Sequence, residues 1–327
     1  MFTLLDYIQN LLNDPEVKKL QAVQSLWSGY GEIGRYFSPK LNTSVIVKSI
    51  QPPAEINHPR GWHSQASHQR KLKSYQVEAN FYQHYAIHCD DFCTVPKLIA
   101  SSFNDESTKQ VKLMILEDLD QIGFAGRKTQ ASLQDIKAAI KWLAYFHAKF
   151  LNTDADDLWP IGTYWHLATR KDELVVMTNC DLKEAASKID LLLNQAIYQT
   201  LVHGDAKLAN LCFAEPAKSN AIAAVDFQYV GKGAGVKDLV YFLGSCLPEQ
   251  NLFTYAPGLL DEYFSQLKQA ISEYKIDVAF AKLETEWRYL YAFAWADFHR
   301  FMLGWNPTHF KINSYMQTQT DFALTQD

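Results

Sequence analysis

Hydrophobic residues recur three and four positions apart in several long segments, which is the spacing of one face of an α-helix. This pattern predicts helices within residues 1–20, 68–87, 132–150, 258–274 and 277–303. A further helix is expected after Asp238, whose carboxylate would cap the free N–H groups at its start. The segment from Gly231 to Gly235 is predicted to be flexible, and the polar segment from Asn306 to be loosely held.

Apolar runs bounded by turn residues predict strands. The longer runs occupy residues 44–50, 95–102 and 111–116, and a loop with prolines and glycine, residues 51–67, follows the first of them. Shorter apolar runs occupy residues 201–202, 211–213 and 221–225, and polar residues follow them directly. We expect these short runs to form a hairpin-like platform that presents the polar residues.

The platform carries oxygen and nitrogen groups at short intervals. Asp205 closes the tripeptide HGD, Asn210 lies five positions later, and Asp226 ends the last apolar run. The oxygens of Asn210 and Asp226 suit Mg²⁺, which prefers hard ligands, and Asp205 could orient an acceptor hydroxyl and take its proton. Lys207 would place an ammonium group near the transferred group. This set of residues predicts phosphoryl transfer, and therefore a kinase.

A possible phosphate-binding region precedes the platform. Gly29, Gly31 and Gly34 form GxGxxG, which is weak on its own because glycines also mark ordinary turns. A strand with Lys48 follows it instead of a long helix, which favours a kinase glycine loop over a dinucleotide-binding fold. Lys48 would pair with nucleotide phosphates and Glu78 would hold it in place. Taken singly, Lys48 is better explained as a solvent-exposed lysine, and Glu78 equally well as a solvated helix residue.

The length of 327 residues, 48% of them hydrophobic, predicts two lobes rather than one core. We place the boundary near Leu119. Residues 1–118 would form a nucleotide-binding lobe, and residues 119–327 a lobe with the catalytic loop, metal ligands and acceptor pocket. Glu117 and Leu119 are expected to hydrogen-bond adenine, because a strand end leaves backbone N–H and C=O groups unpaired.

Charge and cysteine content narrow the classes of protein. The net charge is −5 and lysine and arginine form no cluster, which argues against a nucleic-acid partner. The sequence contains no run of about 18 apolar residues, so we expect no membrane span. The five cysteines include no CxxC pair and their number is odd, so we expect a reduced, cytoplasmic protein. The sequence does not indicate an oligomeric state.

Five motifs stand in the order found in kinases, namely VIVK, YQVEANFY, LEDL, HGDAKLAN and VDFQ. Together they resemble the aminoglycoside phosphotransferases and choline kinases, and most closely the ecdysteroid kinase-like branch, over about residues 29–243. The resemblance implies an α+β, bilobal protein kinase-like fold with a small β-rich N-lobe and a larger helical C-lobe. It implies ATP and Mg²⁺ as cofactors and Asp205 as the catalytic aspartate. It also implies Asn210 and Asp226 as metal ligands, and Lys48 with Glu78 as the phosphate-binding pair.

The expected acceptor is a hydroxyl group of a small molecule such as an amino alcohol, a sterol-like or a sugar-like compound. Gly204 stands where regulated protein kinases usually carry arginine, and the interval from Asp226 to Asp238 is too short for a phosphorylated activation segment. A catalytically inactive nucleotide-binding scaffold and a protein kinase stay open as alternatives. Residues that could line the acceptor pocket, although a structural core explains them better, are Trp295, Asp297, His299, Arg300 and Trp305.

Overall fold

The computed structural model describes residues 3–26, 29–52, 65–105, 111–214 and 221–326. Its strands are β1 (Lys18–Ser25), β2 (Gly31–Ser38), β3 (Thr43–Ile50), β4 (Leu98–Ser101), β5 (Lys112–Glu117), β6 (Thr200–Val202), β7 (Leu211–Phe213), β8 (Ile222–Ala224) and β9 (Gly231–Gly233). Its α-helices are α1 (Leu4–Leu12), α2 (Gln65–Asn80), α3 (Leu133–Lys149), α4 (Lys171–Val176), α5 (Asp181–Asn194), α6 (Val236–Cys246), α7 (Glu249–Glu273), α8 (Phe280–Trp305) and α9 (Ser314–Leu324). Phe2 and most of the predicted loop at residues 51–67 lie outside the described residues.

The first five strands form one antiparallel sheet in the order β1-β2-β3-β5-β4. Side chains of a strand alternate between its two faces. In β3, Val45 and Val47 pack in a cluster with Ile8 of α1, whereas Ile46 and Lys48 line a cavity on the opposite face. The alternation of β3 therefore turns Lys48 away from α1 and into the cavity.

Helix α2 begins at Gln65 and ends at Asn80, so it forms the first part of the helical segment predicted at residues 68–87. It continues through a π-helical turn, Phe81–Tyr85, and a 3₁₀ turn, Ala86–His88. Phe81 is buried in the π turn and stacks on Phe227, with ring centroids 3.9 Å apart. This stack joins the helix that carries Glu78 to the segment that carries Asp226.

The remaining helices form the larger part of the molecule, in which α3 packs along α7, and α8 packs against α4, α5, α6 and α9. Ser132 caps α3 and exchanges hydrogen bonds with Asp135 in a capping box. The predicted platform is present as two strand pairs, β7 with β8 and β6 with β9. The segment at residues 203–210 connects the two pairs.

Three local predictions are wrong. The first helix ends at Leu12, and β1 occupies the end of the segment predicted as helical. The segment from Gly231 to Gly235 begins with a strand rather than a flexible stretch, because residues 231–233 pair with β6. Glycine is required at 231, since a side chain there would run into the carbonyl of Trp159. The polar tail is not loose, since α9 packs on α8 and buries Met316 completely.

The predicted α+β architecture is confirmed, with a small antiparallel sheet and a larger helical part. Strand β5 ends at Glu117, and the division of the chain at residues 118 and 119 stays a prediction. No helix in the described segments combines the length and the apolar character needed to cross a membrane.

Candidate active site

A cavity of about 640 Å³ lies between the sheet, α2 and the helical part of the molecule. It brings together residues that are far apart in sequence. Predicted site residues in its lining are Lys48, Glu78, Glu117, Leu119, Asp205, Lys207, Asn210 and Asp226. The three predicted glycines are not among the lining residues, but their neighbours Leu26, Tyr30 and Ile33 are.

Lys48 is buried and bridges two carboxylates. Its Nζ lies 2.6 Å from Oε2 of Glu78 and 3.2 Å from Oδ1 of Asp226. Burial alone would lower the pKa of Lys48, but the two carboxylates outweigh it and raise the pKa. Burial raises the pKa of Glu78 to about 7, although the Lys48 ammonium opposes this shift. Lys48 is therefore a fixed cation rather than the solvent-exposed lysine that its strand position alone suggested.

Asp226 adopts a left-handed backbone conformation with φ of 71°. Burial acts to raise its pKa, but Lys48, Lys207 and Lys71 outweigh burial, so the pKa lies well below its ordinary value. Gln228 also donates a hydrogen bond to Oδ1 of Asp226. Asp226 is therefore an anion at neutral pH and is surrounded by cations.

The loop after β6 orients Asp205. Its Oδ2 accepts hydrogen bonds from Nζ of Lys207 at 2.7 Å and from Nδ2 of Asn210 at 3.1 Å. Nδ2 of Asn210 also donates to the backbone carbonyl of Asp205 at 2.9 Å. These bonds fix the carboxylate in a position from which it faces the cavity, as a residue that accepts a proton from a substrate must.

Asp238 performs a role that the sequence did not reveal. Its carboxylate accepts hydrogen bonds from the backbone N–H groups of His203 at 2.5 Å and Gly204 at 2.9 Å, and lies 3.1 Å from Nε2 of His147. The prediction that Asp238 caps its own helix is wrong, because Asp238 is the third residue of α6 and points to the loop of Asp205. The contacts of this carboxylate depend on the tertiary structure, so no local sequence pattern shows them.

The predicted glycine loop is only partly a loop. Gly29 has φ of 73° between β1 and β2. Gly31 begins β2, and a side chain there would run into the carbonyl of Ser49. Gly34 lies within β2 beside the ring of Tyr36. The structure thus gives these three residues different local roles, and their predicted contact with phosphate stays a prediction.

The stretch after β5 forms part of the cavity wall. The backbone N–H of Glu117 donates to the carbonyl of Lys97 at 2.9 Å, and the carbonyl of Leu119 accepts from Phe124 at 2.9 Å. The N–H group of Glu117 and the carbonyl of Leu119 therefore already have backbone partners, contrary to the expectation that the backbone groups at this strand end are unpaired. Binding of adenine by Glu117 and Leu119 stays a prediction.

The donor set fits a hard divalent cation. Asn210 uses its amide nitrogen for Asp205, and both hydrogen bonds received by Asp226 go to Oδ1. Among the described residues, no donor bonds to Oδ1 of Asn210 or Oδ2 of Asp226. One amide oxygen and one carboxylate oxygen thus remain as ligands of the kind that Mg²⁺ prefers.

Most of the residues considered for an acceptor pocket belong to the core, which is the explanation that the sequence analysis preferred. Trp295, Asp297, His299 and Arg300 are buried, and Nη2 of Arg300 lies 2.7 Å from Oδ1 of Asp297. Burial lowers the pKa of His299 to about 4. Trp305 differs from these residues because it lines the cavity.

The profile of the ecdysteroid kinase-like family matches residues 39–154 and 171–276, which is more than half of the chain. The chain belongs to the ecdysteroid kinase-like family. This assignment confirms the resemblance inferred from the motifs and places this family member among the kinase-like phosphotransferases of small molecules. No curated protein sequence matches the chain.

Solved structures of related folds cover nearly the whole of this family member. A protein of Ralstonia eutropha JMP134, for which an aminoglycoside phosphotransferase activity was suggested, is 13% identical with a TM-score of 0.50, over 98% of this chain and 94% of that one. A microcompartment-associated aminopropanol kinase is 12% identical with a TM-score of 0.48, over 97% and 94%. The choline kinase LicA from Streptococcus pneumoniae is 12% identical with a TM-score of 0.42, over 98% and 95%. The first of these confirms the predicted protein kinase-like fold and does not identify a substrate.

Proposed function

We propose that this protein transfers the γ-phosphoryl group of ATP, with Mg²⁺, to a hydroxyl group of a small molecule. The observation that carries the proposal is the meeting of Lys48, Glu78 and Asp226 with Asp205 and Asn210 in one cavity. The five unpaired cysteines agree with the reducing cytoplasm, which we propose as its compartment.

Each residue has a role that follows from its position. Bound ATP·Mg²⁺ would supply the phosphoryl group and offset its charge. Lys48, held by Glu78, would bind phosphate oxygens, and Asn210 and Asp226 would hold the metal ion. Asp205 would orient the acceptor hydroxyl and accept its proton.

The test is Asp205→Asn in the full chain, with a broad panel of hydroxylated small molecules. We expect phosphate transfer to fall by about 100-fold or more, because the amide cannot accept the proton, while ATP affinity stays within about twofold. The control is Asp277→Asn, an exposed aspartate of the helical part. Tight ATP binding by the wild type without transfer to any acceptor, peptides included, would favour the inactive scaffold, and transfer to peptides alone would favour a protein kinase.

A further inference from the structure

Two of the arginines that line the cavity, Arg70 and Arg170, lie in neighbouring segments, because Arg70 bonds to the residue that precedes Arg170. Arg70 precedes Glu78 by eight residues on α2, or about 12 Å along a helix that rises 1.5 Å per residue. Arg170 precedes α4, and its guanidinium carbon lies 5.8 Å from the ring centroid of Tyr164 and 5.3 Å from that of Phe301. The lining also includes Arg35 and Arg127, but carboxylates already pair with both of them: Asp118 and Asp120 with Arg35, and Asp120 with Arg127.

The two arginines differ in their hydrogen-bond partners. Nη1 of Arg170 donates to the buried Glu173 at 3.1 Å. Arg70 donates to the carbonyl of Thr169 at 2.6 Å and to the hydroxyl of Ser67 at 3.2 Å, which are neutral acceptors. Within the segments that the structure describes, no carboxylate forms an ion pair with Arg70.

The surroundings of Arg70 disfavour its positive charge. Burial first, and then the neighbouring Arg170 charge, lower the pKa of Arg70, although Tyr229, Glu173 and Asp172 oppose the shift. A half-buried guanidinium beside a second one is costly unless an anion compensates it. A negatively charged ligand group would supply that compensation.

Aromatic side chains connect this pair to Asp205. Tyr241 and Asp205 both line the cavity, and burial and then the Asp205 charge raise the pKa of Tyr241. The ring centroids of Tyr241 and Tyr164 are 5.4 Å apart. Tyr164 in turn packs 5.3 Å from Phe301, over which Arg170 lies. A molecule whose hydroxyl faces Asp205 would therefore extend along aromatic rings towards the two arginines.

We propose that the acceptor carries an anionic group, a carboxylate or a phosphate monoester, that Arg70 and Arg170 bind while its hydroxyl faces Asp205. This inference rests on the proposed kinase function. Guanidinium groups match the geometry of both anions and can bind them through paired hydrogen bonds. The same pair of cations would repel an amino alcohol, and Glu173 is already bonded to Arg170.

The test compares aryl alcohols that differ only in the group distant from the hydroxyl, which is a carboxylate, its methyl ester, a phosphate monoester or an amine. Binding is measured by calorimetry with a non-hydrolysable ATP analogue and Mg²⁺, and transfer with ATP. We expect at least one of the anions to bind about 10-fold or more tightly than the ester, and the amine to bind weakest. The better of the two anions identifies the class of acceptor.

Arg70→Met and Arg170→Met should each raise the KM for the anionic alcohol about 10-fold or more, while the KM for the ester and for ATP change little. Arg70→Lys should recover part of the preference, which keeps the test valid if loss of the Thr169 contact destabilises the methionine variant. Lys73→Met is the matched control, because it removes an exposed cation from the same helix. The ammonium group of Lys73 lies over the ring of Trp159, and Lys73 is not among the residues that line the cavity.

The outcomes separate this inference from the proposed function. Arg70-dependent binding of an anionic alcohol without phosphate transfer would support the arginine site and contradict the kinase function. Transfer to esters or amines as efficient as to the anions would support the kinase function and overturn the arginine site. An equal loss for anion and ester in both methionine variants would also overturn it, since the arginines would then be structural.

Discussion

The position of the Asp226 carboxylate depends on a backbone conformation that its residue type alone does not determine. A non-glycine residue in a left-handed conformation costs about 1–3 kcal/mol and persists only where its surroundings determine it. Phe227 supplies that constraint through its stack on Phe81, and Gln228 through its hydrogen bond to the carboxylate. The sequence predicted Asp226 as a ligand because carboxylates suit Mg²⁺, but a conformation maintained by distant partners has no local sequence pattern.

Gly204 presents a similar requirement, which can be tested by mutation. Its φ is 79°, and a side chain would run into the carbonyl of Tyr229. We expect Gly204→Ala to lower the free energy of unfolding by more than about 2 kcal/mol, measured by urea denaturation. Gly258→Ala is the control, because this glycine lies in α7 with no neighbouring atom, and alanine there should stabilise by about 0.5–1 kcal/mol. Equal effects of the two substitutions would contradict the structural argument.

Asp238 should act as a positioning residue for the loop of Asp205. In Asp238→Asn one amide oxygen replaces a carboxylate that accepts from His203, Gly204 and His147. Loss of these buried, charge-assisted bonds should lower the free energy of unfolding by about 2–4 kcal/mol and reduce kcat about 10-fold, with little change in the KM for ATP. Stopped-assay kinetics and urea denaturation measure both quantities. A stable variant with unchanged kcat would show that the loop keeps its geometry without this carboxylate.

At the scale of the elements, the hydrophobic pattern predicted α2, α3 and α8 from the three-and-four spacing of apolar residues, and β3 from an apolar run. It missed β1, whose side chains are all exposed and therefore show no alternation of burial. Periodicity also could not show that β3 and α2 meet, since sheet order depends on tertiary packing. That meeting converts Lys48 and Glu78 from two ordinary charged residues into a buried ion pair.

Burial raises the pKa of Glu78 on α2 to about 7, which makes the free energy of unfolding depend on pH. Between pH 4.5 and 7 the folded protein retains a proton that the unfolded chain releases, so the stability from this group is complete below pH 4.5 and is lost as pH rises to 7. We expect Glu78→Gln to lose that dependence.

The measurement is the difference in unfolding free energy between wild type and Glu78→Gln at pH 5 and at pH 8. The comparison with wild type is needed because His299, with a pKa lowered to about 4, contributes the opposite slope between pH 4 and 6.5. Glu16→Gln, at an exposed position, should show no such change. A difference between wild type and Glu78→Gln that is the same at both pH values would mean that Glu78 titrates as an ordinary carboxyl.

At the scale of the whole molecule, the polar composition of the last residues concealed their packing. Only a few positions of α9 are buried, so the segment has a weak apolar pattern although α8 holds it. Thr320 is buried with its hydroxyl 3.0 Å from Nδ1 of His299, and the rings of Tyr315 and Trp295 are 5.4 Å apart. Such contacts can be recognised only when both helices are placed together, and α8 also carries Phe301 and Trp305 of the cavity.

The contribution of α9 can be measured with two substitutions on the same helix. Met316 is fully buried, so Met316→Ala should lower the free energy of unfolding by about 2–5 kcal/mol through lost apolar burial and the remaining void. Phe322 is 52% exposed, and Phe322→Ala should change it by no more than about 0.5 kcal/mol. Urea denaturation of both variants tests the difference. If Met316→Ala were as harmless as Phe322→Ala, the tail would be loosely held in solution, and α8 would not need α9 to keep Phe301 and Trp305 at the cavity.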